Sequence, residues 1–364
     1  MTSFWNPAAA LSALACGVLI PSGDLCAEVN PKNWHFQIEI PRAPRKGKER
    51  TPAIGNLWIP SGVRQLRGLI VAEKTLLEKK LVTDPVIRKT AARERLGILY
   101  FEPGPNPFFP YGEAGDCDRR FLKGLDDLAK RSRHPEIRVI PWLTLGHSTG
   151  GIFCRNLAYW QPHRVLGIIH IKSGNMHHGM HYPDRDTLRG VPFMAINGEF
   201  EEHGPEGGIR KEYGRQTQWV MIRKQMLARR RQHEDHLMSL VVHAGGNHTN
   251  WSDDLTRLCA TFIRKACQYR IPEDTTLGST PIKCRELDVA KGWLTDSDLK
   301  GPKFQAAAYG EYQGDRGLAF WHFDEEMARA VRGSHQGKFK EPDPAIPEDK
   351  HPAPGDDRTT GVGK

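Results

Sequence analysis

The chain has 364 residues, of which 38% are hydrophobic and 26% charged, so a sizeable core is available and global disorder is excluded. Lys+Arg 52 against Asp+Glu 43 gives a net charge of +9, a modest excess that does not by itself call for nucleic acid. Seven Cys are too few for a disulfide scaffold, and no second long apolar run follows the first, which excludes a multi-span membrane protein.

In chain order, residues 8–20 (AAALSALACGVLI) form an apolar run too short to span a bilayer. The run fits the core of a secretory signal, and Leu25-Cys26-Ala27 offers a small-residue cleavage point, although no Lys or Arg precedes Lys32. The expectation is a signal peptide over 1–27 and a secreted or periplasmic protein. Cleavage would leave Cys117, Cys154, Cys259, Cys267 and Cys284. Cys259 and Cys267 lie about 12 Å apart on one expected helix and cannot bridge. Cys267 with Cys284 is the feasible pair.

FQIEIP (36–41) and AIGNLWIP (53–60) flank a basic, Pro-bearing loop and read as an antiparallel pair. LRGLIVA (66–72) is a continuous apolar run, the mark of a strand buried on both faces. A helix from Asp84, the strand LGILYF (96–101) and a helix running to about Arg133 follow. Then come the strand RVIPWLTLG (138–146), a helix through about Trp160, and two buried strands, RVLGIIHI (164–171) and PFMAING (192–198). A long polar helix over about 209–231, the strand LMSLVVHA (237–244) and a helix over 253–267 close the unit. Strand–helix alternation after an initial hairpin predicts an α/β fold with a mostly parallel, doubly wound sheet over 34–270.

The segment 271–333 has few strand signals. Within it FWHFDEEMARAV (320–331) reads as one amphipathic helix docked on the core. Beyond Gly333 the chain is polar, charged and Pro-rich, and is expected to be a disordered tail over 334–364.

Doubly wound sheets carry their sites just beyond the carboxyl ends of the strands. Gly146-His147-Ser148-Thr149-Gly150 matches G-x-S-x-G directly after an apolar strand and before a helix. That setting holds a Ser at the tip of a sharp turn, and Thr149 N–H, at the helix start, suits a developing oxyanion. A Ser hydroxyl needs a base. His248, in the Gly-rich loop after the last strand, is the best of 16 His; His243 lies within that strand and reads as packed or edge-facing. The acid that would orient His248 is sought after PFMAING: Glu201 first, Glu199 as runner-up, Glu202 third. Lys74 N–H, after the strand ending at Ala72, is the expected second oxyanion donor, with the nearby charge of Glu73 an awkward neighbour. Phe108, Phe109 and Tyr111 either line an acyl or aromatic pocket or pack against the C-terminal extension.

With Ser148, Glu201 and His248 in this order on this strand pattern, the chain resembles the α/β-hydrolase superfamily over about 36–267. IPWLTLGHSTGGIF, AINGEFEE and GGNHTNWSDDL are similar to secreted bacterial hydrolases of the polyhydroxybutyrate-depolymerase, feruloyl-esterase and dienelactone-hydrolase groups. The extension over 284–331 is similar to that of secreted planctomycete hydrolases. The resemblance implies the α/β-hydrolase fold and carboxylic ester cleavage through an acyl-enzyme, with no metal or cofactor and a small-molecule or polymeric ester as substrate. A serine peptidase or acyltransferase, a non-catalytic binding protein on the same fold, and a surface protein anchored by its charge are the alternatives. The His-rich stretch 175–181 reads as a loop over the site rather than a zinc site. Arg229-Arg230-Arg231 suits the C-terminus of its helix and is not read as binding nucleic acid. The glycosylation sequons at Asn247 and Asn250 would place a glycan over His248 and are read as unused. Oligomeric state is left open.

Overall fold

The computed structural model describes residues 34–44, 47–174, 188–201, 218–273, 280–335 and 338. The expected signal segment, the His-rich stretch, Glu202 and almost all of the tail lie outside them.

One eight-stranded sheet organises the chain. Its strands are β1 (Phe36–Ile40), β2 (Ala53–Trp58), β3 (Gly68–Glu73), β4 (Leu96–Phe101), β5 (Trp142–His147), β6 (Val165–Ile171), β7 (Phe193–Gly198) and β8 (Met238–His243), in spatial order 1-2-4-3-5-6-7-8. β1 and β2 run antiparallel, and β2 meets β4 antiparallel. From β3 onward every pairing is parallel. The central strands are apolar on both faces because both faces are covered, and successive residues alternate between two cores. Leu69 and Val71 join the core under α3 (Cys117–Ser132), α4 (Thr149–Trp160) and α5 (Gln218–Gln232). Ile70 and Ala72 join the core under α1 (Glu78–Val82), α2 (Pro85–Arg93) and α6 (Asp253–Arg270).

Local chemistry fixes the helix starts. Asp84 caps α2 by accepting from Val86 N–H at 2.8 Å, with Pro85 supplying a first turn that needs no donor. Ser252 caps α6 through Leu255 N–H. Strand order, parallel crossovers and helices on both faces are those of the α/β-hydrolase fold.

Three expectations need correction. The 320–331 segment is not one helix: β11 (Ala319–His322) precedes α7 (Glu325–His335). β11 pairs with β9 (Trp293–Asp296), which also pairs with β10 (Ala307–Ala308), so the extension contains a small antiparallel sheet. An apolar run such as AFWH fits either period, and its pairing with β9 decides the outcome. Cys267 and Cys284 do not bridge; all five described cysteines are free thiols. Cys284 is held instead by its N–H on His163 O at 2.7 Å, with its thiol against Arg270.

The extension packs along the β8 edge of the main sheet. α7 lies against β8 and α6, and β11 also reaches β8. His335 Nε2 accepts the Val242 N–H of β8 at 2.9 Å, so the extension pairs a donor on the edge strand.

Candidate active site

Ser148 stands between β5 and α4 with φ 53° and ψ −125°. This left-handed backbone is uncommon for a side-chain-bearing residue and throws Ser148 to the tip of the turn. The turn is tight enough that a Cβ on Gly146 would run into the Gly150 carbonyl. Ser148 N–H donates to Ile171 O of β6 at 2.9 Å, which ties the turn to the neighbouring strand. Gly151 N–H closes the first helical turn on Ser148 O at 3.0 Å. Thr149 N–H meets no acceptor among the described residues, as expected at a helix start, and is free to receive an anion.

His248 and Glu201 come together from loops after adjacent strands. Glu201 Oε1 lies 2.6 Å from His248 Nδ1, with the carboxylate buried and the imidazole side chain 40% exposed. The second oxygen, Oε2, accepts from Gly198 N–H at 3.0 Å and from Asn197 Nδ2 at 3.3 Å. Both oxygens are therefore engaged, and the carboxylate has a fixed orientation. Among the described residues Ser148 Oγ makes no hydrogen bond, to His248 Nε2 or to any other group.

Glu199, the runner-up acid, faces elsewhere. Its Oε2 accepts from Gly245 N–H at 2.8 Å and its Oε1 lies 3.9 Å from Lys300 Nζ of the extension. It braces the loop that leads to His248 without touching the imidazole.

Lys74 N–H is not available as an oxyanion donor. It donates to Phe101 O at 2.9 Å, continuing the β3–β4 ladder one residue past the strand. Thr75 N–H is engaged too, by Glu78 Oε2 at 2.9 Å. Phe109 is also not a pocket wall. It is fully buried, with ring neighbours Phe121, Phe153 and Trp160 at 5.5–5.8 Å between centroids. Tyr111 is half-buried against Trp160. Phe108 is 40% exposed.

Two further buried groups shape the site. Glu78, fully buried, accepts from His147 N–H at 2.5 Å and from the Thr75 hydroxyl, so one carboxyl joins the loop after β3 to the strand that ends at Ser148. Burial holds its proton more tightly than usual. His147 is buried beside His248, with ring centroids 4.8 Å apart, and its Nε2 lies 2.8 Å from His248 O. Burial pushes the His147 pKa down to about 4, so the ring is neutral and Nε2–H donates to that carbonyl. Among the described residues no cluster of three His, Cys, Asp or Glu is placed to hold a metal ion, and no helix is long and apolar enough to cross a membrane.

No family model and no curated protein matches the chain. Solved structures similar to it include the poly(3-hydroxybutyrate) depolymerase LpqC from Bordetella parapertussis, at 17% identity over 62% of this chain and 87% of that one, with a TM-score of 0.43. Poly(aspartic acid) hydrolase-1 from Sphingomonas sp. KT-1 is 14% identical over 64% and 96% of the two chains, at a TM-score of 0.40. An esterase from Pyrobaculum calidifontis is 12% identical over 64% and 85%, at 0.38.

Proposed function

We propose that the protein is a serine hydrolase that cleaves carboxylic esters through an acyl-enzyme, with Ser148 as nucleophile, His248 as base and Glu201 as the orienting acid. The observation that carries this reading is the 2.6 Å contact between Glu201 Oε1 and His248 Nδ1, made beside a strand–turn–helix that presents Ser148. A carboxylate on Nδ1 fixes the tautomer that leaves Nε2 as the acceptor, and it stabilises the imidazolium that forms next.

Ser148 Oγ bonds to the ester carbonyl carbon as its proton passes to His248 Nε2. The carbonyl oxygen becomes an oxyanion, and Thr149 N–H at the start of α4 donates to it. Collapse breaks the bond to the alcohol oxygen, which leaves with the proton from Nε2. Water then repeats the sequence on the acyl-enzyme, releasing the acid and restoring Ser148. The Ser148–His248 hydrogen bond must close as substrate binds, which is common in sites read without substrate. The acyl group fits along Phe108. With a signal segment removed, the mature enzyme would act outside the cytoplasm.

The test is a fluorophosphonate probe with mass-spectrometric mapping, paired with hydrolysis of p-nitrophenyl esters of increasing acyl length. Labelling at Ser148 that disappears in Ser148→Ala, together with ester turnover, is the expected result. An unlabelled Ser148 in folded protein would overturn the assignment.

A further inference from the structure

The loop that carries His248 is held from beneath by a group the mechanism above does not use. Lys172 follows β6 directly, is fully buried, and has φ 44°, a backbone conformation that side-chain-bearing residues seldom adopt. Its Nζ donates to Asn247 O, to Asn250 O at 2.6 Å, and to Asn250 Oδ1 at 3.3 Å. An ammonium has three donors, and here three acceptors of one short turn take them. The same Asn250 Oδ1 accepts from Asn247 N–H at 2.7 Å, and Asn247 Oδ1 accepts from Thr249 and Asn250 N–H, both at 3.0 Å. His248 O, between these carbonyls, is taken by His147. Two side chains from neighbouring strand ends thus hold the carbonyls on either side of the base and that of the base itself.

Burying an ammonium costs several kcal/mol unless its donors are satisfied, so an apolar residue would be the cheaper filler of this space. No carboxylate lies within ion-pair distance of Lys172 Nζ among the described residues. Burial pulls its pKa down to about 8, against the opposing pull of Glu201. A costly cation and a strained backbone at one position, both directed at the turn that bears the base, call for a reason beyond packing.

We propose that Lys172 is a positioning residue that pins the 247–250 turn, keeping His248 on Glu201 and within reach of Ser148. The proposal rests on the reading of His248 as base. A base that drifts by about 1 Å costs on the order of 10²-fold in rate, with little change in substrate binding.

The experiment uses the full chain as wild type, Lys172→Met and Asn250→Asp. Turnover of p-nitrophenyl butyrate gives kcat and KM, and proton NMR follows the His248 Nδ1–H bonded to Glu201. Lys172→Met should lower kcat by roughly 10- to 100-fold with KM within about twofold, and should broaden or lose the Nδ1–H resonance while far-UV circular dichroism is unchanged. Asn250→Asp, at an exposed residue, supplies the ammonium with a counter-charge and should keep that resonance visible to a higher temperature than in wild type; this arm decides the matter if Lys172→Met does not fold. An unchanged resonance and kcat in Lys172→Met, or an unchanged thermal limit in Asn250→Asp, overturns the clamp. Failure of wild-type Ser148 to take the fluorophosphonate, with the resonance still lost in Lys172→Met, removes the hydrolase reading and leaves the clamp standing.

Discussion

Glu201 and His248 lie 47 positions apart in the chain and 2.6 Å apart in space, because β7 and β8 are adjacent parallel strands whose following loops share one rim of the sheet. The two candidate acids two positions apart in the sequence are separated by this geometry. Glu201→Gln keeps an oxygen for Gly198 N–H but can present an amide to Nδ1, favouring the wrong tautomer. It should lower kcat by about 10³- to 10⁴-fold with a small change in melting temperature. Glu199→Gln should leave kcat within about threefold, since Glu199 touches Gly245 N–H rather than the imidazole, at a cost of about 1 kcal/mol in stability. Steady-state kinetics and thermal denaturation on both variants decide the assignment, and a reversal of their ranking would transfer the role to Glu199.

Much of this candidate site is legible in the sequence. Ser148 announces itself through glycines on both sides and an apolar strand before it. His248 and Glu201 follow from the rule that sites sit after strand ends. The donor at Lys74 could not be read, because whether its N–H is free depends on a partner in β4 that no local pattern encodes. Phe109 sits in an irregular loop where periodicity says nothing about inside and outside. β9–β11 are two to four residues long, below the length at which alternation declares a strand. Lys172 has no motif at all: it is one cation after an apolar run, and only the fold shows what its ammonium meets.

Glu73 predicts a dependence of stability on pH. Its side chain is buried where a Cβ on Gly104 would overlap the carboxyl. Burial first, and the neighbouring Glu78 second, push its pKa up to about 8 from 4.5. A carboxyl raised in the folded state is bound to its proton more tightly there than in the unfolded chain. Its contribution is therefore fully present below about pH 4.5 and is lost as pH rises toward 8, by up to about 1.4 kcal/mol per pH unit. Glu73→Gln cannot ionise, so its urea midpoint should stay flatter between pH 5 and 8.5, and it should exceed wild type at pH 8.5 by roughly 2 kcal/mol or more. Parallel midpoint-against-pH curves for the two proteins would count against the ionisation of Glu73.

Gly146→Ala tests the turn itself. The new Cβ would meet the backbone carbonyl of Gly150, which cannot rotate away as a side chain could. The substitution should cost about 3 kcal/mol or more and should abolish reaction of Ser148 with a fluorophosphonate. Gly310→Ala is the control, because no atom lies within 4 Å of the added Cβ and its backbone is not in the left-handed region. It should stay within about 0.5 kcal/mol of wild type and react at the wild-type rate. Equal behaviour of the two variants would show that the turn has room to relax.

His335 predicts what the extension does for the main sheet. Its Nε2 accepts from Val242 N–H at 2.9 Å, supplying β8, the last strand of the sheet among the described residues, with a partner at its edge. Removing it leaves a buried N–H without an acceptor, which costs about 1–3 kcal/mol, and His335→Ala should lose that much. Acid should do the same by another route. Burial, with Lys338 and Arg332 adding to it, pushes the His335 pKa down to about 3 from 6.5, so the folded state keeps a neutral ring. A histidine depressed in this way contributes stability above about pH 6.5 and loses it as pH falls toward 3. His335→Gln places an amide oxygen where an acceptor is needed and does not titrate, so its stability should fall less than that of wild type between pH 6.5 and 4. Hydrogen exchange at Val242 locates the effect: His335→Ala should speed it well beyond that of central β5 amides such as Leu145, whereas uniform acceleration across the sheet would mean that the extension acts on the whole fold rather than on its edge.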